Sequence, residues 1–87
     1  MTSKEGAAII ESILFTMGDS VEISALAKAM EVSSKEVKEY IDYLKNKYEN
    51  EDSGIGIIEL ENAVQLCTKK EMYEYLVKIA KTPRKAV

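Results

Sequence analysis

Between Ala7 and Met17 only Glu11, Ser12 and Thr16 are polar. On a helical wheel the apolar side chains of this segment, Ile9, Ile10, Ile13, Leu14, Phe15 and Met17 with Ala7 and Ala8, occupy most of the circumference. A helix packing on one core needs an apolar stripe of little more than about 100°, and this segment carries about twice that. The whole chain has 87 residues, enough for one small domain. A domain of that size buries only about 60–65% of its unfolded surface. Either the first helix is wrapped by its own domain, or part of its face belongs to another chain.

The rest of the chain supplies short elements around it. The first helix is expected from about Glu5 to Met17, ended by Gly18-Asp19-Ser20 with glycine just past the C-terminus. Val21 and Ile23 form a short extended bridge. Ser24 stands as N-cap of a short second helix carrying Leu26, Ala27 and Met30. After a turn at Glu31-Val32, Ser33 and Glu36 have the capping-box spacing and open a third helix to about Tyr48. Its Val37, Tyr40, Ile41, Leu44 and Tyr48 share one face.

Asn50 to Gly56 is polar and glycine-bearing, hence a loop. Two strands follow, near Ile57–Glu61 and Val64–Thr68, joined at Asn62-Ala63. There Ile58 and Leu60, then Val64 and Leu66, alternate with more polar neighbours, the pattern of a half-buried hairpin. Thr68 and Glu71 repeat the capping-box spacing and start a final helix to about Lys81. Its Met72, Tyr73, Tyr75, Leu76, Val77, Ile79 and Ala80 exceed a single stripe. Thr82-Pro83 stops it. The order predicts an α+β, mostly α, winged helix-turn-helix: three helices, a β-hairpin wing and a C-terminal helix. Residues 1–81 form the domain, and residues 82–87 read as the start of a linker.

Three motifs in order resemble the N-terminal domain of the segregation and condensation protein B (ScpB) family. Ile10-Glu11-Ser12-Ile13-Leu14-Phe15-Thr16-Met17-Gly18 looks like that family's opening helix. Val21 through Leu26-Ala27, then Val32-Ser33, matches the approach to its third helix. Gly54-Ile55-Gly56-Ile57-Ile58-Glu59-Leu60 followed by Val64-Gln65-Leu66-Cys67-Thr68 is similar to its wing. Asp19-Ser20 departs from the usual Glu-Pro, and Asn62-Ala63-Val64 from a Gly-rich turn ending in Tyr. The resemblance covers nearly the whole chain; family members carry two winged helices, and these 87 residues are expected to correspond to the first and the start of the linker to the second.

The resemblance implies a structural, non-catalytic homodimerisation domain of the bacterial chromosome condensation and segregation complex. It implies a cytoplasmic setting at the nucleoid. The implied partners are a second copy through this domain, the ScpA kleisin and, through ScpA, the SMC ATPase. Much of the grip on ScpA is expected from the second winged helix. No cofactor is implied. For the dimer contact, the surplus apolar faces of the first and last helices nominate Ile9, Ile10, Ile13, Tyr73 and Val77.

Composition removes other classes. Histidine is absent and Cys67 is the sole cysteine, which excludes Ser–His–Asp and Cys–His nucleophiles, His/Cys zinc sites and an internal disulfide. The lone thiol fits a reducing compartment and reads as packed and inert. No apolar run approaches the roughly 20 residues of a membrane span, and the N-terminus lacks a signal-peptide pattern. Gly54-x-Gly56 enters a strand and is no phosphate loop. The Glu49–Asp52 run is a solvated loop, so catalysis finds no residues to carry it.

The rival reading is a fragment of a DNA-binding transcriptional regulator, since winged helices often place the third helix in the major groove. Here that helix sets Lys35, Lys38, Lys45 and Lys47 against Glu36, Glu39, Asp42 and Glu49. From Asn50 to Cys67 there is no basic residue, against Glu51, Asp52, Glu59 and Glu61. Such a wing repels phosphate, so direct specific DNA binding is not expected. An adaptor unrelated to condensation is the other alternative. Residues 1–68 hold 6 basic and 13 acidic side chains, net −7, and residues 69–87 hold 6 and 2, net +4. The basic cluster Lys69, Lys70, Lys78, Lys81, Arg84 and Lys85 reads chiefly as solvation near a helix end, with a weak nucleic-acid or acidic-partner contact left open. Among the tyrosines, Tyr40, Tyr48 and Tyr75 fall on core stripes and read as structural, while Tyr43 and Tyr73 lie off them and are the better interface candidates.

Overall fold

The computed structural model describes residues 1–50 and 52–79. The expected end of the last helix at Lys81, its Thr82-Pro83 stop and the linker over 82–87 lie outside the described residues.

Helix α1 runs Ser3–Met17, two residues earlier than expected. The sequence reading missed its cap, in which the Thr2 hydroxyl accepts from the Glu5 N–H at 3.1 Å and the Thr2 N–H donates to the Glu5 carboxylate at 2.9 Å. Gly18 closes the helix with φ 67, its N–H donating to the Leu14 carbonyl at 3.1 Å. Strand β1 (Val21–Glu22) leads directly into α2 (Ile23–Met30). Ser24 is therefore not the N-cap. The Ile23 N–H is taken by the Asn62 carbonyl of the wing at 2.8 Å, so the helix starts there, with Glu22 in the cap position and no side-chain bond.

A Schellman turn ends α2. The Val32 N–H reaches the Ala27 carbonyl and the Glu31 N–H the Lys28 carbonyl, with Glu31 left-handed at φ 58. The Ser33–Glu36 capping box forms and opens α3 (Ser34–Asn50). Val37, Tyr40, Ile41, Leu44 and Tyr48 are all buried, as their spacing predicts. They meet Ala7, Ile10 and Leu14 of α1, Leu26 of α2, and Val64. α1 and α3 approach closely at Gly6, where an added Cβ would lie 2.5 Å from the Tyr40 ring. Burial, then the carboxylates of Glu36, Glu39 and Glu5, push the Tyr40 phenol above its usual 10.0.

The wing pairs β2 (Ile55–Glu59) with β3 (Ala63–Thr68), and β1 joins the other side of β3, all antiparallel. The first strand begins two residues earlier than expected, and its inward set differs. Ile57, opposite Leu66, packs toward the core, whereas Ile58 and Leu60 are exposed. The turn decides this, because the Leu60 N–H donates to the Ala63 carbonyl at 2.8 Å and pins the register.

Thr68 does not cap the last helix. It pairs with Ile55, and the Lys69 N–H continues the ladder to the Gly54 carbonyl at 2.8 Å. Lys70–Met72 then form a 3₁₀ turn, followed by α4 (Tyr73–Ile79). No described residue of α4 is buried. Tyr75, expected on a core stripe, is exposed for that reason.

Candidate interaction surface

α1 separates its apolar residues into two sets. Gly6, Ala7, Ile10 and Leu14 are buried, and Ile13 packs half-buried against them. Ile9 is exposed on one flank of that stripe. Phe15, 78% exposed, lies on the other flank, about 120° away by the helical repeat. Of the residues nominated for a dimer contact, Ile10 is 0% exposed and belongs wholly to the chain's own core, so it offers a partner no surface. Its neighbour Ile9 points out because a 100° step carries it off the stripe. Tyr73 and Val77 lie on α4, whose chief contact among the described elements is with the 3₁₀ turn before it.

Phe15, Leu76 and Ile79, which were not among the nominated residues, are exposed as well. An available signal was that Phe15 sits 100° from Leu14, beyond the Ile10–Leu14 stripe. Beside Phe15 a groove of about 290 Å³ opens between the end of α1 and the hairpin, lined by Leu14, Gly18, Ile55, Leu66, Cys67 and Thr68. Its walls are mostly apolar. Exposed contiguous apolar surface of this kind marks interaction sites in small domains.

The polar side of the fold is arranged differently. Lys45 of α3 pairs with Glu59 of β2 at 3.0 Å. Hydrogen bonding to that carboxylate, then its charge, holds the Lys45 ammonium above its usual 10.5. Lys69 donates to the Tyr48 carbonyl at 2.8 Å. Two of the cations nearest the wing thus serve the fold, and Glu59 and Glu61 stay at the wing's exposed end. A phosphate backbone meeting this edge would face carboxylates. Lys78 lies 5.7 Å over the Tyr75 ring, on α4.

Cys67 is a half-buried free thiol on β3. Tyr43 is exposed beside a groove with Ala8 and Lys47. Among the described residues no three acidic or thiol side chains converge on a metal position. No described helix is long and apolar enough to cross a membrane.

Comparison with known proteins covers the same ground. The chain is 51% identical over 81 residues to Segregation and condensation protein B of Agathobacter rectalis, covering 92% of this chain and 43% of that protein. It is 44% identical over 87 residues to the protein of the same name from Lachnoclostridium phytofermentans, covering 100% and 46%. The chain therefore spans less than half the length of these relatives. Among solved structures it is similar to a dimer of ScpB N-terminal domain complexed with ScpA peptide. That match has a TM-score of 0.83 and 38% identity, and covers 88% of this chain and 96% of that one. Mycobacterium tuberculosis ScpB shares the fold at a TM-score of 0.83 and 21% identity, over 99% of this chain and 56% of that one. The family model for segregation and condensation complex subunit ScpB matches residues 8–87. With that match over nearly its full length, and the winged helix of the solved N-terminal domain, the chain belongs to the ScpB family.

Proposed function

We propose that this chain is the non-catalytic, self-associating winged-helix portion of a ScpB subunit in the bacterial chromosome segregation and condensation machinery. It joins a second copy of itself, contacts ScpA and, through ScpA, the SMC ATPase, at the nucleoid in the cytoplasm. The observation carrying this reading is the uncovered apolar surface on α1 and α4 in a domain whose solved relative is a dimer holding a ScpA peptide. Ile9 and Ile13 on α1 and Tyr73 and Val77 on α4 are the proposed contact residues, Ile13 through the edge it leaves uncovered.

Light scattering of the 87-residue chain across a concentration series tests it. A dimer that persists on dilution, and gives way to a folded monomer in Ile9→Glu or Tyr73→Glu, supports the reading. A strict monomer overturns it. Titration with a ScpA peptide, followed by calorimetry, tests the second partner. Fluorescence anisotropy with mixed-sequence duplex DNA tests the rival, since tight, salt-dependent binding would contradict the acidic wing.

A further inference from the structure

Helix α4 has no buried residue, and its chief contact among the described elements is the 3₁₀ turn before it. A helix is normally oriented by burying an apolar stripe against its own domain. Without one, its orientation has to come from the segment that joins it to the domain. Lys69 is where that segment is fastened.

The Lys69 N–H donates to the Gly54 carbonyl at 2.8 Å, which continues the β2–β3 ladder past Thr68. The Lys69 carbonyl accepts the Met72 N–H at 2.9 Å and so closes the turn from which α4 leaves. Its ammonium crosses to α3 and donates to the Tyr48 carbonyl at 2.8 Å, in a partly buried bond. Because α3 ends at Asn50, that carbonyl is among the last four of the helix, which no intrahelical N–H can take. A cation placed there also meets the negative end of the helix dipole.

Tyr48 is a fixed post. Its ring is buried in the core, and its hydroxyl is bonded to Glu11 of α1. The stem of Lys69 is held as well, its Cγ 4.0 Å from where a Cβ on Gly56 would stand. Lys70, the next residue, is exposed.

We infer that Lys69 is a positioning residue: its ammonium caps α3 while its backbone starts the turn into α4, and together they hold α4 at a set angle to the core. The helix then meets a partner already ordered. The inference rests on the self-association proposed above and adds a residue outside the contact that governs it. Without the ammonium the backbone bonds of the turn remain, and α4 swings about residues 70–72. That freedom is lost on association, so affinity falls although every contact is still available.

The test is Lys69→Met, which keeps the apolar stem and deletes the donor. Beside it stand Lys69→Arg, which keeps a cationic donor, and Lys70→Met, which removes the same charge from the adjacent exposed position. A fluorophore on Glu74→Cys in a Cys67→Ser background reports α4 by time-resolved anisotropy, Glu74 being exposed on that helix. The slow component of the decay gives the size of the particle, and the nanosecond component gives the swing of α4. The chain is diluted until the slow component is that of a monomer.

The expected result is a larger nanosecond component in Lys69→Met, with Lys69→Arg and Lys70→Met like wild type. Light scattering without the label then places the dimer dissociation constant of Lys69→Met about tenfold above wild type, the cost of ordering about one hinge residue. An unchanged nanosecond component would overturn the inference, because α4 would be held by its backbone alone. An equal rise in Lys70→Met would overturn it in favour of a general charge effect. A freed α4 with an unchanged dissociation constant would overturn the link to association. A wild-type monomer at every concentration removes the self-association reading and that link, while the anisotropy still decides whether Lys69 holds α4.

Discussion

The Tyr48 hydroxyl donates to the Glu11 carboxylate at 2.5 Å, tying α3 to α1 across 37 residues of sequence. The Tyr48 ring is buried with the core, while Glu11 is half-exposed on the surplus-apolar helix. Tyr48→Phe keeps the ring and deletes this donor. A hydrogen bond to a charged group contributes about 1.5–3 kcal/mol, less where water can reach the carboxylate, so the expected loss is about 1 kcal/mol. Urea unfolding measures it, and an unchanged midpoint would show that the bond adds nothing net.

Gly6 is the second tie between the same helices. In an exposed helix Gly→Ala stabilises by about 1 kcal/mol, through helix propensity. Here the new methyl would meet the Tyr40 ring at 2.5–2.7 Å, and the buried ring has little room to yield. Gly6→Ala is expected to destabilise by about 1–3 kcal/mol, the range for overpacking. Thermal unfolding tests the sign, at about 4–8 °C per kcal/mol for a domain of this size. A raised Tm would mean that the helices separate freely.

The two helix ends in left-handed backbone make an opposed pair. Gly18 has φ 67 and Glu31 has φ 58. Glycine adopts this region without penalty, whereas a residue with Cβ costs about 1–2 kcal/mol there. Glu31→Gly is expected to raise stability by about 1 kcal/mol, and Gly18→Ala to lower it by a similar amount. Calorimetry on both variants checks the pair, and shifts of the same sign would contradict it.

Stability is expected to fall at both ends of the pH scale for identified reasons. The Thr2 N–H, then the Thr2 hydroxyl, hold Glu5 below its usual 4.5. A depressed folded value contributes stability that is present above the unfolded value and lost as pH falls through the folded one. Tyr40 is raised above 10.0, so its contribution is full below that value and is lost as pH rises through the folded one. Glu5→Gln should flatten the acid limb of a urea-midpoint profile, and Tyr40→Phe the alkaline limb. Profiles that remain parallel to wild type would assign the pH dependence to other groups.

Much of the architecture was legible where the deciding contacts are local. Ser33 and Glu36 cap α3 three residues apart, and the Val37–Tyr48 stripe repeats with the helical period. Gly18 closes α1 on the residue four before it. The Thr2–Glu5 cap was equally local and was overlooked among the polar N-terminal residues. Ser24 and Thr68 misled, because their capping pattern competed with bonds from distant segments. The Asn62 carbonyl takes the Ile23 N–H, and the Gly54 carbonyl takes the Lys69 N–H.

The sequence by itself determined most of the elements, their order, the face that α3 buries, and that these 87 residues hold no histidine and a single cysteine. It also showed that α1 and the last helix carry more apolar side chains than one core requires. Tertiary structure alone decided which of those side chains are surplus. Ile10 is consumed by the core, Ile57 takes the inward place expected of Ile58, and Phe15, Leu76 and Val77 are left outside. The physical reason is that periodicity defines a face, but a one-residue change in strand register or a 100° step on a helix moves a side chain from core to solvent. On α1 the step is settled by packing against segments far apart in sequence, and in the hairpin by the turn bond from the Leu60 N–H to the Ala63 carbonyl.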